Sequence, residues 1–268
     1  MKAEDLISYI EEIADPRFSA DWDSSGLHIL GDRREIKRLA IALDPIENTI
    51  KDALLWGADF ILTHHPTTLS PRLPNKDNSF TRVIKMVIRK DAWLYCAHTS
   101  LDVNLDGPVS WLAKDLGLRN LTPIEPILDD GNLLLGYGIV GDISDKMEIS
   151  SFLHRLASIL GRSQFVTVGK EPLTIKKIAY CPGSGMSLTK RAFELGSDIF
   201  ISGDLKYHVA QSIEELGFTI DVGHFILEEI MMQRFAETLK REFKEKNINI
   251  EIKFFKGLDP ISIKEVLI

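Results

Sequence analysis

Gly57-Ala58-Asp59-Phe60-Ile61-Leu62-Thr63-His64-His65-Pro66 is the stretch on which the reading of this chain turns. The apolar run from Asp59 to Thr63 has the length of a buried strand, and the two histidines, with a rigid proline behind them, stand where that strand gives way to a loop. Two imidazoles held on a loop rather than in a core are in a metal-binding posture. Taken alone, the pair reads equally well as loop hydrogen bonding. The decision comes from the rest of the sequence.

A second copy of the strand lies further on. Gly196-Ser197-Asp198-Ile199-Phe200-Ile201-Ser202 aligns with Gly57 to Thr63, which sets His64 and His65 against Gly203 and Asp204. In the first half, residues 38–43 read as a strand, 48–56 as a helix, 59–63 as a strand and 80–90 as a helix leading to a strand that ends at Ala97. The second half repeats this order: strand 177–180, helix 187–195, strand 198–202, helix 207–216 and strand 218–222. Strand-helix-strand units favour a parallel sheet covered by helices. The expected fold class is therefore α/β: two similar α/β lobes built from duplicated strand-helix-strand units. The lobes are expected at 1–124 and 125–268, joined by the Pro-rich connector Thr122-Pro123-Ile124-Glu125-Pro126. Around them, the spacing predicts a first helix over 3–14, a strand over 133–140 and a helix over 149–160 that carries His154. His154 is expected to be either structural or solvated. The spacing also predicts a long helix over 225–244 and a last strand over 248–254.

Two further apolar runs end in the same chemistry. His98-Thr99-Ser100-Leu101-Asp102 and His224-Phe225-Ile226-Leu227-Glu228 each place a carboxylate four residues after a histidine. On a helix that spacing puts both groups on one face. With His64 and His65, the set offers His64, His65, Asp102, His224 and Glu228 as metal ligands, all at carboxyl ends of strands, where open α/β sheets place ligands. One catalytic zinc typically uses three protein ligands, so five donors count better as two divalent cations. The nitrogen and oxygen donors suit zinc, iron or manganese, and the sequence leaves the metal's identity open. Two such cations make a shared water acidic enough to serve as a nucleophile near neutral pH.

Composition narrows the classes. A length of 268 residues allows about two domains, and 44% hydrophobic content supports an ordinary soluble core. No apolar stretch approaches the ~20 residues of a membrane span. The start, Met1-Lys2-Ala3-Glu4-Asp5, reads as an acidic amphipathic helix rather than a signal peptide, so a cytoplasmic location is expected. The net charge of -7 disfavours a broad nucleic-acid face, and two cysteines, Cys96 and Cys181, make no disulfide framework.

The motifs Asp21-Trp22-Asp23-Ser24-Ser25-Gly26-Leu27, Thr63-His64-His65-Pro66, His98-Thr99-Ser100-Leu101-Asp102, Ser202-Gly203-Asp204-Leu205-Lys206-Tyr207-His208 and Asp221-Val222-Gly223-His224 with Glu228 span nearly the whole chain. In this order they resemble the Nif-three-like family, often labelled GTP cyclohydrolase 1 type 2 homologues. The resemblance implies a two-lobed α/β fold, a dinuclear metal site between the lobes and a homohexamer. It carries the ligand roles onto His64, His65, Asp102, His224 and Glu228, with His98 close to the metals. The chain departs from the family's pattern at Ser24, Ser100 and Leu227, and it lacks the inserted middle domain of longer members.

Further candidates are Asp204, Lys206 and His208. Lys206 is placed to hold a phosphate and His208 to move a proton, if their loop ends a strand beside the metals. The turn from Asp21 to Asp23 is expected to buttress the histidine loop, His28 to be structural, and Cys181 to Gly185 to form a tight strand-to-helix turn. The leading functional expectation is a metal-dependent hydrolase of a nucleotide or related heterocycle, with GTP as the named candidate. The alternatives are a metal-binding scaffold that works through protein partners, and a phosphodiesterase or phosphatase using the same cations.

Overall fold

The apolar residues of neighbouring strands alternate between two different cores, and that alternation organises the molecule. The computed structural model of the protein describes residues 1–131 and 133–264. A five-stranded sheet runs in the order β1 (Gly26–Ile29), β4 (Trp93–Cys96), β3 (Phe60–Thr63), β2 (Arg38–Ala42), β11 (Glu251–Phe254). Its β4, β3, β2 and β11 are parallel, and β1 closes the edge antiparallel to β4. A six-stranded sheet has the order β5 (Arg119–Asp129), β6 (Leu134–Glu148), β8 (Thr174–Tyr180), β9 (Ile199–Ser202), β10 (Phe218–Asp221), β7 (Val166–Val168). Only β8, β9 and β10 are mutually parallel there.

Leu39, Ile41, Phe60 and Leu62 of the first sheet share one core with Ile178, Tyr180, Ile199 and Ile201 of the second. Between them lie α1 (Ala3–Glu11), α5 (Trp111–Leu116), α6 (Ile149–Leu160) and the long α9 (His224–Glu245), which contributes Met231, Phe235 and Leu239. The alternate residues Ala40, Ile61 and Leu94 face α2 (Glu47–Trp56) and α3 (Ser79–Arg89). Ala179 and Phe200 likewise face α7 (Thr189–Glu194) and α8 (Tyr207–Ile213). Period two in each strand thus serves two cores at once. Each fully buried Leu, Ile or Phe contributes roughly 1.5–3 kcal/mol, so this shared core fixes the two sheets against each other.

The two sheets repeat one local device. Asp59 accepts the backbone N–H groups of Lys37 and Arg38 at 2.9 and 3.0 Å, and Asp198 accepts those of Lys176 and Lys177 at 2.6 and 2.8 Å. The cation of the same strand then caps the helix that follows: Arg38 donates to Trp56 O at 3.0 Å and Lys177 to Leu195 O at 3.2 Å. Gly57 and Gly196 follow in left-handed conformations, φ 91° and 81°, which favour glycine.

Three expectations change. The Pro-rich segment around Thr122 to Pro126 is not a connector; it lies in β5. That strand is the sheet edge, where proline costs no ladder hydrogen bond, and its register shifts between Arg119 and Thr122 and between Pro126 and Leu128. The strand expected over 133–140 runs on to Glu148. The final strand pairs with β2 of the first sheet, so a single cut between residues 124 and 125 does not separate the sheets.

Candidate metal centre

Parallel strands deliver the site residues from their carboxyl ends. Asp44 follows β2, His64 and His65 follow β3, and His98 follows β4; from the other sheet, Cys181 follows β8, Asp204 follows β9 and His224 follows β10. The helix α4 (Thr99–Asp102) then presents Asp102, and the first turn of α9 presents His224 and Glu228 on one face.

Each of the four imidazoles is held from behind through Nδ1. His64 Nδ1 lies 2.8 Å from Ala97 O, His65 Nδ1 2.7 Å from Asp44, His98 Nδ1 2.7 Å from Asp23, and His224 Nδ1 2.8 Å from Asp204. An oxygen at Nδ1 fixes the tautomer that leaves Nε2 free, as in metal-ligating histidines. The rings crowd together, with centroids 5.2 Å apart for His64 and His65, 5.2 Å for His64 and His98, and 5.4 Å for His65 and His224. Glu228 stands among them: Oε1 is 3.6 Å from His64 Nε2, and Oε2 is 3.0 Å from Nε2 of both His65 and His224. Asp102 Oδ1 is 3.6 Å from His64 Nε2.

Among the described residues, His64 Nε2, Asp102 Oδ1 and Glu228 Oε2 are buried without a hydrogen-bond partner. Orphaned buried acceptors cost about 1–3 kcal/mol each, more when charged, and a cation among them would relieve that cost. The donor chemistry fits divalent metal. Two overlapping groups of potential ligands meet here, His64 with His65 and His98, and His65 with His224 and Glu228.

The electrostatics agree. Burial opposes charge on His65, but the hydrogen bond to Asp44 and the close carboxylate of Glu228 outweigh it and push its pKa up to about 10. His224 is opposed by burial in the same way and is raised to about 9 by Glu228 and Asp204. Burial raises Asp102, whereas the imidazoles of His224, His64 and His65 close beside Glu228 outweigh burial and hold it well below the usual carboxylate range. Without metal, protons take the place of cations in this cluster.

Glycine makes the carboxylate's position possible. Gly183, at φ 64°, sits so close that an added Cβ would lie 2.2 Å from Glu228 Oε1. The expected tight turn from Cys181 to Gly185 is therefore part of the site wall.

A cleft of about 910 Å³ opens over the cluster, lined by Trp22, His65, His98, Asp102, His224, Glu228, Tyr137 and the 181–188 turn. Asp204 reaches the site only as the brace of His224. Lys206 and His208 are exposed, His208 pairs with Gln211, and neither lines the cleft. His98 lines it directly. Asp23 braces His98, Thr99 and Ser25 rather than the histidine loop, and its hydrogen bonds overcome burial to depress its pKa. The loop is held instead by Ser24, which donates to Thr68 O, and by His28 at 2.8 Å from Thr67 Oγ1. Asp44 went unnoticed in the sequence, although its place just after the apolar run of β2 matches that of His64 after β3. His154 is exposed and bonds Ser150 O, the solvated of the two expected readings. No helix among the described residues is long and apolar enough to cross a membrane.

Comparison with known proteins places this geometry. The family model described as Duf34/NIF3 (NGG1p interacting factor 3) matches residues 1–260. A Clostridium perfringens protein named GTP cyclohydrolase 1 type 2 homolog is 34% identical over 243 residues, covering 90% of this chain and 92% of its own. The crystal structure of a Bacillus cereus protein related to NIF3 superposes with a TM-score of 0.88 at 21% identity, covering 98% of this chain and 99% of that one. Reduced HcgD from Methanocaldococcus jannaschii matches with a TM-score of 0.80 at 31% identity, covering 96% and 98%. With the family model spanning all but the last residues, the chain belongs to the Duf34/NIF3 family.

Proposed function

We propose that the protein is a dinuclear metal-dependent hydrolase whose substrate is a nucleotide or related heterocycle. The observation that carries this reading is the set of buried, unpaired atoms His64 Nε2, Asp102 Oδ1 and Glu228 Oε2, of which Asp102 and Glu228 line an open cleft. His64, His65, Asp102, His224 and Glu228 would hold the cations, the two oxygens of Glu228 facing different histidines. Such a pair supplies Lewis acidity and an activated water when bound. Asp44, Asp204 and Ala97 O orient the ligand imidazoles. His98 lines the cleft with its Nδ1 bound to the depressed Asp23 carboxylate, so its Nε2 is the group placed to accept or return a proton. His98 replaces His208 in that role, because His208 stands outside the cleft. The names of the curated relatives support a nucleotide-related ligand, with GTP the first candidate.

The test is hydrolysis of a nucleotide panel by metal-loaded protein, with products identified. Formate from GTP supports ring opening, and phosphate release supports the phosphatase alternative. Full turnover in folded Glu228→Ala contradicts both. Absence of turnover across the panel, with metal bound, favours the scaffold reading.

A further inference from the structure

The cleft above the metal cluster is lined by carboxylates on several sides, at Asp44, Asp102, Glu125 and Glu228, and by a single Lys or Arg side chain among the described residues, Arg72. Asp44 is engaged by His65, and Asp102 and Glu228 point into the cluster. Glu125 is exposed on β5, in the opposite sheet from the strands flanking the Arg72 loop. Glu125 and Arg72 are therefore the charged lining side chains that the histidine cluster does not engage.

Arg72 is also held in place without being used up. Its guanidinium carbon lies 4.5 Å from the centre of the Phe80 ring, and Phe80 is itself half-buried in the cleft wall on α3. Among the described residues Arg72 forms no hydrogen bond or ion pair, in contrast to nearby Arg82, which is bound by both Glu47 and Asp77. A guanidinium stacked on an aromatic ring loses little of its hydrogen-bonding edge, and all five N–H donors remain free for a planar or tetrahedral anion. The loop bearing it is stiffened by Pro66, Pro71 and Pro74 and pinned at its start through Thr67 and Thr68. The apolar stretch of wall beside it, Ile46, Leu69 and Val83, suits the uncharged body of a ligand.

We infer that Arg72 is the specificity-determining group of the cleft: it selects ligands that carry an anionic tail, phosphate or carboxylate, and binds that tail away from the metal cluster while the uncharged ring faces the histidines. This inference rests on the cleft being the ligand site proposed above. It adds a residue and a direction: the anion lies toward the 67–78 loop, and the reacting part of the ligand toward His98 and Glu228.

The test reads binding rather than turnover. Manganese-loaded wild-type protein, Arg72→Ala and Arg72→Lys would be titrated calorimetrically with two pairs of probes, guanosine against guanosine monophosphate and uracil against orotate, with metal content measured on the same samples. In wild type, the anionic member of at least one pair binds about 10- to 100-fold more tightly than its neutral partner, as expected for charge-assisted hydrogen bonds. Arg72→Ala removes that advantage and leaves affinity for the neutral partner unchanged, whereas Arg72→Lys keeps part of it. The pair that shows the effect separates phosphate from carboxylate. No anionic advantage in wild type overturns the inference, and so does an advantage that survives in Arg72→Ala, which would place the anion on the metals. Failure of the metal-centre reading has a different signature, namely wild-type protein that carries no metal.

Discussion

Glu228 Oε2 stands 3.0 Å from Nε2 of His65, yet the geometry between them is not that of a hydrogen bond. The same oxygen is equally close to His224, and the other oxygen faces His64. Three imidazoles around one buried carboxylate are stable only if something positive is shared among them, and protons or divalent cations are the two candidates.

That competition has a sign. His65 and His224 have folded-state pKa values of about 10 and 9, above the ordinary 6.5. In metal-free protein, the stabilisation they provide is fully present below pH 6.5 and is lost as pH rises through about 9 and 10. Protein stripped with a chelator is expected to lose melting temperature between pH 7 and 10. Metal binding must displace the same protons, so metal affinity is expected to rise with pH up to about 9 and 10. A metal-free melting temperature that stays flat or climbs over the alkaline range would count against the charged cluster.

The braces behind the ligands should matter almost as much as the ligands. Asp44→Asn and Asp204→Asn leave His65 and His224 in place but weaken the acceptor at Nδ1. Each is expected to lower metal affinity about 10- to 100-fold without unfolding the protein. Competition with a chromophoric chelator measures this, and wild-type affinity in both variants would remove the bracing role.

Gly183→Ala combines backbone strain with displacement of a ligand. At φ 64° alanine costs about 1–2 kcal/mol, and its Cβ would fall 2.2 Å from Glu228 Oε1. Gly161→Ala is the matched control, since Gly161 has φ 62° and open space around the added atom. Both variants should lose similar stability in urea, but only Gly183→Ala should lose metal. Equal metal content in the two would show that Glu228 is not held by this close approach.

The repeated strand-end device makes a stability prediction. Asp59→Ala and Asp198→Ala each strand two backbone N–H groups that the carboxylate now accepts. A loss of about 1–3 kcal/mol is expected from each in denaturant unfolding, larger at Asp59, which is more buried and also pairs with Arg33. A neutral effect at either position would mean that water replaces the carboxylate there.

Much of this architecture was legible in the sequence because its signals are local. The apolar runs ending in His64, His98 and His224 gave three parallel strands and the converging ligand types, and the match of Asp59 with Asp198 gave the two halves their common pattern. Edge strands were harder. β5 carries two prolines and β7 has only three residues, so neither has the composition of a strand, and both exist because a neighbouring strand offers a ladder. The return of β11 to the first sheet depends on the core shared with α9, which no local pattern encodes. Asp44 and Asp23 act through residues distant in sequence, so their roles emerge only with the fold. His208 failed as a candidate for the converse reason: its neighbours in sequence suggested chemistry, but α8 turns it to solvent, away from the cleft.

Metal content per chain, measured by elemental mass spectrometry on untagged protein beside a His64→Ala, Glu228→Ala double variant, tests the dinuclear centre most directly. About two transition-metal equivalents in wild type, lost in a variant that remains folded, is the predicted result. Wild-type protein that stays metal-free after incubation with zinc, iron or manganese would contradict it.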